Sequence, residues 1–206
     1  MKLSHGALRL KDVLPSALGV VFIGALLCLT APPGWSVWGK MGWWAIPAGA
    51  LLGIAFYLFG YLFTRLPGRH ATSMKGLIQL LHRLFKNFSW FDIILVSCLA
   101  GIGEELLIRG VLQSWLVDYI GPAAGIILAS AVFGLMHSLS KAYVVLTAVL
   151  GCFFGVALYL TGSMLLVIVA HAVYDVLAFF IIVKRPHWLG VHSGDENFKL
   201  PIRDQN

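Results

Sequence analysis

The chain has 206 residues, 59% of them hydrophobic and only 12% charged, with a net charge of +6. Soluble domains run at roughly 45–50% and 25%, and a core of this size has no room for the surplus apolar surface. A water-soluble globule is therefore excluded, and the positive balance, which sits between apolar runs, reads as membrane orientation rather than nucleic-acid binding.

A membrane-spanning helix needs about 20 mostly apolar residues. Six stretches meet that requirement in chain order: 13–30, 43–63, 91–116, 122–139, 142–160 and 163–183. The first ends at Ala31-Pro32-Pro33-Gly34. Lys2, Arg9 and Lys11 ahead of it would also suit a signal peptide. No small-x-small cleavage site follows, so a retained helix is expected. Between the second and third stretches, residues 71–88 carry Met74, Leu77, Ile78, Leu81, Leu84, Phe85 and Phe88 at helical spacing. Lys75, His82, Arg83 and Lys86 lie between them, the pattern of an amphipathic helix on a membrane surface. The later turns are short (118–121, 140–141 and 161–162), which makes successive helices antiparallel neighbours. Residues 184–206 form a polar tail. The expected fold is an all-α polytopic transmembrane bundle, one integral membrane domain over 1–206 with about six spans and an interfacial helix.

Lys and Arg in short loops set the orientation. With a cytoplasmic N-terminus the inner segments hold Lys2, Arg9, Lys11, Arg65, Arg69, Lys75, Arg83, Lys86, Lys141, Lys184, Arg185, Lys199 and Arg203. Only Lys40 lies outside, and Arg109 falls within a span. Both termini are thus expected in the cytoplasm, and the cytoplasmic membrane of a bacterium is the expected location. Trp35, Trp38, Trp43 and Trp44 crowd the first outer loop, where an aromatic belt belongs. Cys28, Cys98 and Cys152 all lie in apolar runs without paired spacing, so a disulfide framework or zinc knuckle is not expected.

Ionisable groups inside a bilayer are costly and mark function by default. Here they form three groups. In Glu104-Glu105-Leu106-Leu107-Ile108-Arg109, Glu105 and Arg109 are four apart in the favourable helical order. Glu104 points about 100° away, which leaves it for chemistry. Phe133-Gly134-Leu135-Met136-His137 places a histidine at the end of an apolar run. His171 and Asp175, also four apart, share one face of the last span. A carboxylate with an imidazole is what water activation requires, and a second His and an Asp could stabilise an oxyanion. Glu104, His137, His171 and Asp175 are also a plausible donor set for zinc, although no standard zincin spacing is present.

Glu-Glu-x-x-x-Arg, Phe-x-x-x-His and His-x-x-x-Asp, in that order on successive apolar stretches, resemble the CAAX-protease and bacteriocin-processing (Abi) family, whose relatives include the type II CAAX prenyl endopeptidases. The resemblance covers roughly 93–180, and Gly151, Gly155 and Thr161-Gly162-Ser163 also resemble the family's approach to its last motif. It implies an intramembrane endopeptidase acting on a membrane-associated or lipidated polypeptide in the bilayer. By that analogy Glu104 is the general base, His137 holds the attacking water, Glu105 and Arg109 support the site, and His171 and Asp175 form the oxyanion side. Prenyl endopeptidases usually carry Asn where this chain has Asp175, and an ionised Asp cannot donate a hydrogen bond. A glutamate-type mechanism without a cofactor is favoured, with zinc as the alternative. A proton- or ion-coupled transporter and a non-catalytic immunity or scaffold protein are the other function classes. The transporter reading is weakened by the lack of internal repeats.

Depth sets a further condition. Glu104 is about 13 residues into its span, or about 20 Å, whereas His137 is near the cytoplasmic end of its own. The two meet if that helix is short or tilted, or if a cavity opens toward the cytoplasm, which is expected.

Overall fold

The computed structural model describes residues 7–29 and 42–191. Thr30, Lys2, the Trp35, Trp38 and Lys40 part of the first outer loop, and the tail from 192 onward with Lys199 and Arg203 lie outside the described residues. Helix α1 spans Leu10–Cys28, α2 Ala45–Arg65 and α3 Arg69–Phe85. Helix α4 covers Trp90–Glu105 and continues through a π-helical segment, Leu106–Gln113, into α5, Ser114–Ile120. Then come α6, Pro122–Met136, α7, Lys141–Thr161, and α8, Met164–Lys184.

Local chemistry starts and stops these helices. Ser89 and Asp92 cap α4 reciprocally: Ser89 Oγ accepts from Asp92 N at 3.2 Å and Asp92 Oδ2 from Ser89 N at 2.8 Å. Ser140 and Ser163 supply the N-cap oxygens of α7 and α8, accepting from Tyr143 N and Leu166 N. Gly121 takes φ +82° at the end of α5, and Pro122 then opens α6 with its φ already helical.

The outer surface is that of a protein dissolved in lipid. Phe22 is 69% exposed and Leu51 68%. Across α1, α2, α6 and α7 such side chains form a girdle that water would penalise by about 25 cal/mol per Å². Helices α1, α2, α7 and α8 are each long and apolar enough to cross a membrane, and α6 is a shorter apolar helix. The protein is an all-α membrane bundle. Helix α8 is its central member, packed between α2 and α4. Glycines permit that closeness: a Cβ at Gly49 would lie 2.6 Å from Leu166 O, and one at Gly101 would lie 2.9 Å from Ala172 N.

Helix α3 buries Met74 and Leu77 in the cluster that also holds Leu146 of α7 and Val167 of α8, with Leu81 packed against it, and Ile78 is buried too. His82 Nδ1–H donates to Ile182 O at 2.9 Å. Its apolar face therefore rests on the bundle rather than on lipid alone. The rod of α4, π segment and α5 has 16, 8 and 7 residues, whereas α6 has 15. Running back from the Gly121 turn, α6 covers about 22 Å, only about half the rod. It ends beside the end of α4, which brings His137 level with Glu104.

Candidate active site

Glu105 is the last residue of α4, and the chain widens into a π-helix directly after it. Such i→i+5 segments are uncommon and occur frequently at functional sites. Arg109 projects from it, fully buried, with Nε 3.3 Å from Glu105 Oε2 in an ion pair that lacks hydrogen-bond alignment. Its Nη2 donates to Gly151 O at 3.1 Å. The guanidinium lies 4.8 Å from the Phe133 ring centroid and 5.7 Å from that of Phe154, giving cation–π contact on two sides. Four residues on, Gln113 repeats the pattern and donates from Nε2 to Gly155 O at 3.1 Å. These two rungs join the π segment to α7. A Cβ at Gly155 would sit 2.6 Å from Gln113 Oε1, so the lower rung requires glycine.

Glu105 uses its other oxygen to accept from His171 Nδ1–H at 2.8 Å. The carboxylate is thus shared between a cation on its own strand of helix and an imidazole on α8. Glu105 is 0% exposed, and a lone carboxylate there would carry the full cost of ion burial. Pairing on both sides removes that cost and holds the imidazole still. The His171 ring also stacks on Phe154, 5.1 Å between centroids at 17°. Its Nε2 faces inward, 3.9 Å from Glu104 Oε2 and 3.6 Å from Asp175 Oδ2.

His137 is the C-cap residue of α6. Its Nδ1 bonds Phe133 O at 2.8 Å. A carbonyl only accepts, so Nδ1 carries the hydrogen and Nε2 points at Glu104, with Oε2 3.7 Å away. Glu104 Oε2 is buried yet has no direct hydrogen-bond partner. The distances of 3.7 and 3.9 Å exceed a hydrogen bond and match groups that share one bridging water. A carboxylate faced by two fixed imidazole nitrogens can take a proton from such a water and hold its remaining hydrogen.

Glu104, Glu105, Arg109, His137, His171 and Asp175 therefore lie in one connected cluster where α4, α6 and α8 meet. Sequence reasoning passed over Gln113 and Tyr143, and it named Phe133 only as the start of a motif, without the contact its ring and that of Phe154 make with Arg109. Gln113 carried a signal, since a side-chain amide four residues beyond Arg109 in an apolar run must find a partner. A cavity of about 90 Å³ reaches Asp175 from between α2, α3, α7 and α8, with Tyr57, Leu77, Tyr143, Tyr174 and Ile182 among its walls. It lies toward the end of the bundle where α3 packs. Among the described residues no three His, Cys, Asp or Glu side chains are arranged to hold a metal ion.

Residues 86–177 match the family model described as Type II CAAX prenyl endopeptidase Rce1-like. The matched stretch starts just after α3, ends within α8, and includes all six clustered residues. No curated protein and no solved structure matches the chain.

Proposed function

We propose, on the premise that residues 86–177 belong to the Type II CAAX prenyl endopeptidase Rce1-like family, that this chain is an intramembrane endopeptidase in which Glu104 activates water. The observation that carries this reading is the placement of Glu104: a buried carboxylate oxygen with no direct hydrogen bond, faced at 3.7 and 3.9 Å by Nε2 of His137 and His171. In the reaction the water oxygen bonds the scissile carbonyl carbon, and its proton passes to Glu104. His137 Nε2 accepts the water's other hydrogen and orients it. The carbonyl π pair moves onto oxygen. When it returns, the C–N bond breaks and the amide nitrogen takes the proton from Glu104. Glu105 and Arg109 are positioning residues: they hold His171, which with Asp175 lines the side where negative charge develops.

The substrate is a membrane-associated or lipidated polypeptide that reaches Asp175 through the apolar cavity. Residues 93–180 form the protease core, within a chain whose basic residues favour both termini in the cytoplasm and a bacterial cytoplasmic membrane. The test is co-expression of wild type and Glu104→Gln with a library of membrane-anchored peptides, read by mass spectrometry with and without a strong zinc chelator. New termini with wild type only, unaffected by chelator, support the glutamate-type reading. Cleavage abolished by chelator and restored by zinc would replace it with a metal mechanism. Equal cleavage by both proteins would remove Glu104 as the base.

A further inference from the structure

The hydrolysis above puts negative charge on the former carbonyl oxygen, and the cluster is short of hydrogen-bond donors to receive it. Ionised, Asp175 only accepts. His137 commits its Nδ1–H to Phe133 O, and His171 commits Nδ1–H to Glu105. His171 Nε2 lies 3.6 Å from Asp175 Oδ2 and 3.9 Å from Glu104 Oε2, beyond a direct hydrogen bond to either, so it is the one ring nitrogen of the pair left to face the oxyanion. Arg109 is sealed behind Glu105 and the rings of Phe133 and Phe154.

Four tyrosines line the cavity together with Asp175, Tyr57 and Tyr61 from α2, Tyr143 from α7 and Tyr174 from α8. The hydroxyl of Tyr174 is turned toward α2, 3.5 Å from where a Cβ on Gly60 would stand. Tyr143 stands on the first turn of α7, its ring edge-on to His137 with centroids 5.6 Å apart at 84°. It shares the cavity wall with Asp175. Its backbone is held at two points: Tyr143 N donates to Ser140 Oγ at 3.2 Å, and Tyr143 O accepts from Thr147 Oγ1 at 2.8 Å. Its ring therefore stands at the edge of the carboxylate–imidazole cluster, and its phenol O–H is a donor there.

We propose that Tyr143 is a catalytic residue of this site, its O–H donating a hydrogen bond to the scissile carbonyl oxygen and to the oxyanion formed from it. Tyr143 keeps its proton throughout, so the proton balance of the reaction stays with water, Glu104 and the leaving nitrogen. The assignment rests on the protease reading and adds the donor that Asp175 does not supply.

The experiment uses full-length protein in lipid nanodiscs with two probes. One is a set of fluorescence-quenched peptides, each with a prenylated or acylated cysteine near the C-terminus. The other is the phosphinate isostere of any peptide that is cleaved, or of the whole set if none is, an uncleavable tetrahedral anion. Tyr143→Phe is expected to lower kcat about 100-fold, the scale for loss of one oxyanion donor, with KM within about threefold. The same variant should bind the phosphinate about 100-fold more weakly while binding uncleaved peptide as wild type does, a split that simple loss of packing would not produce. Tyr159→Phe, at a half-exposed position of α7 outside the cavity wall, should keep wild-type kcat within about twofold. If wild type cleaves, Glu104→Gln does not, and Tyr143→Phe matches wild type in kcat and phosphinate affinity, the Tyr143 assignment is overturned and the protease reading stands. If wild type neither cleaves nor binds a phosphinate, both are overturned.

Discussion

Replacing Arg109 with Met leaves Glu105 fully buried, with His171 as its remaining hydrogen-bonding partner among the described residues. Removing one member of a buried ion pair costs about 3–5 kcal/mol, because the other charge stays in low dielectric. The lost bond from Nη2 to Gly151 O adds about 1 kcal/mol, since that carbonyl lies inside α7 and keeps its helical partner. Met fills much of the volume between Phe133 and Phe154, so cavity formation contributes little. The single variant should therefore lose about 4–6 kcal/mol, a large share of an ordinary domain's 5–15 kcal/mol. Glu105→Gln with Arg109→Met removes both charges and leaves an amide that still bonds His171. The bond from residue 109 to Gly151 O is lost in both variants, so the difference between them isolates the orphaned charge. The double variant should be about 2–3 kcal/mol more stable than Arg109→Met alone. The assay is reversible unfolding in mixed detergent micelles followed by tryptophan fluorescence, run as a double-mutant cycle. Additivity within about 0.5 kcal/mol would refute the ion pair as the element that makes the buried Glu105 tolerable.

Gly155→Ala places a methyl 2.6 Å from Gln113 Oε1 and 2.9 Å from Ile126 Cγ2; a loss of about 1–3 kcal/mol is expected, partly recovered in the double variant with Gln113→Ala. His82→Phe removes the bond to Ile182 O that ties α3 to α8 and should cost about 1 kcal/mol, seen as faster hydrogen exchange confined to α3. Asp175→Asn keeps the shape beside His171 Nε2, where 3.6 Å is too long for a strong charged bond; cleavage should fall less than about tenfold, whereas Asp175→Ala should fall further.

The bundle was legible because hydropathy states directly which segments lipid must solvate, and α8 announces itself by an apolar run bounded by Ser163 and Lys184. The six polar residues of the site were legible for the complementary reason: each is expensive at membrane depth unless it has a partner. Their meeting point was harder to read. Glu104 and His137 are at mismatched depths if α6 is a full span, and the answer lies in the end of that helix. At His137 the ring bonds its own Phe133 carbonyl, the last turn is closed by a side chain, and Ser140 begins α7 three residues later. The π segment has no sequence signature, because its i→i+5 pattern comes from seating Arg109 and Gln113 against Gly151 and Gly155 rather than from local propensity. Tyr143 was passed over because a tyrosine just after a short basic turn reads as an ordinary interfacial aromatic. Only the three-dimensional arrangement sets its ring against His137 in the wall of the cavity that reaches Asp175.

The most direct measurement is the single-turnover cleavage rate of a wild-type-cleaved, membrane-anchored peptide by purified wild type and Glu104→Gln in nanodiscs, with peptide affinity measured alongside. The variant keeps the size of Glu104 and removes its basicity. The proposed mechanism predicts a rate loss of about 10²–10⁴, the range for a positioned general base, with affinity unchanged. A Glu104→Gln protein that cleaves at the wild-type rate would contradict it.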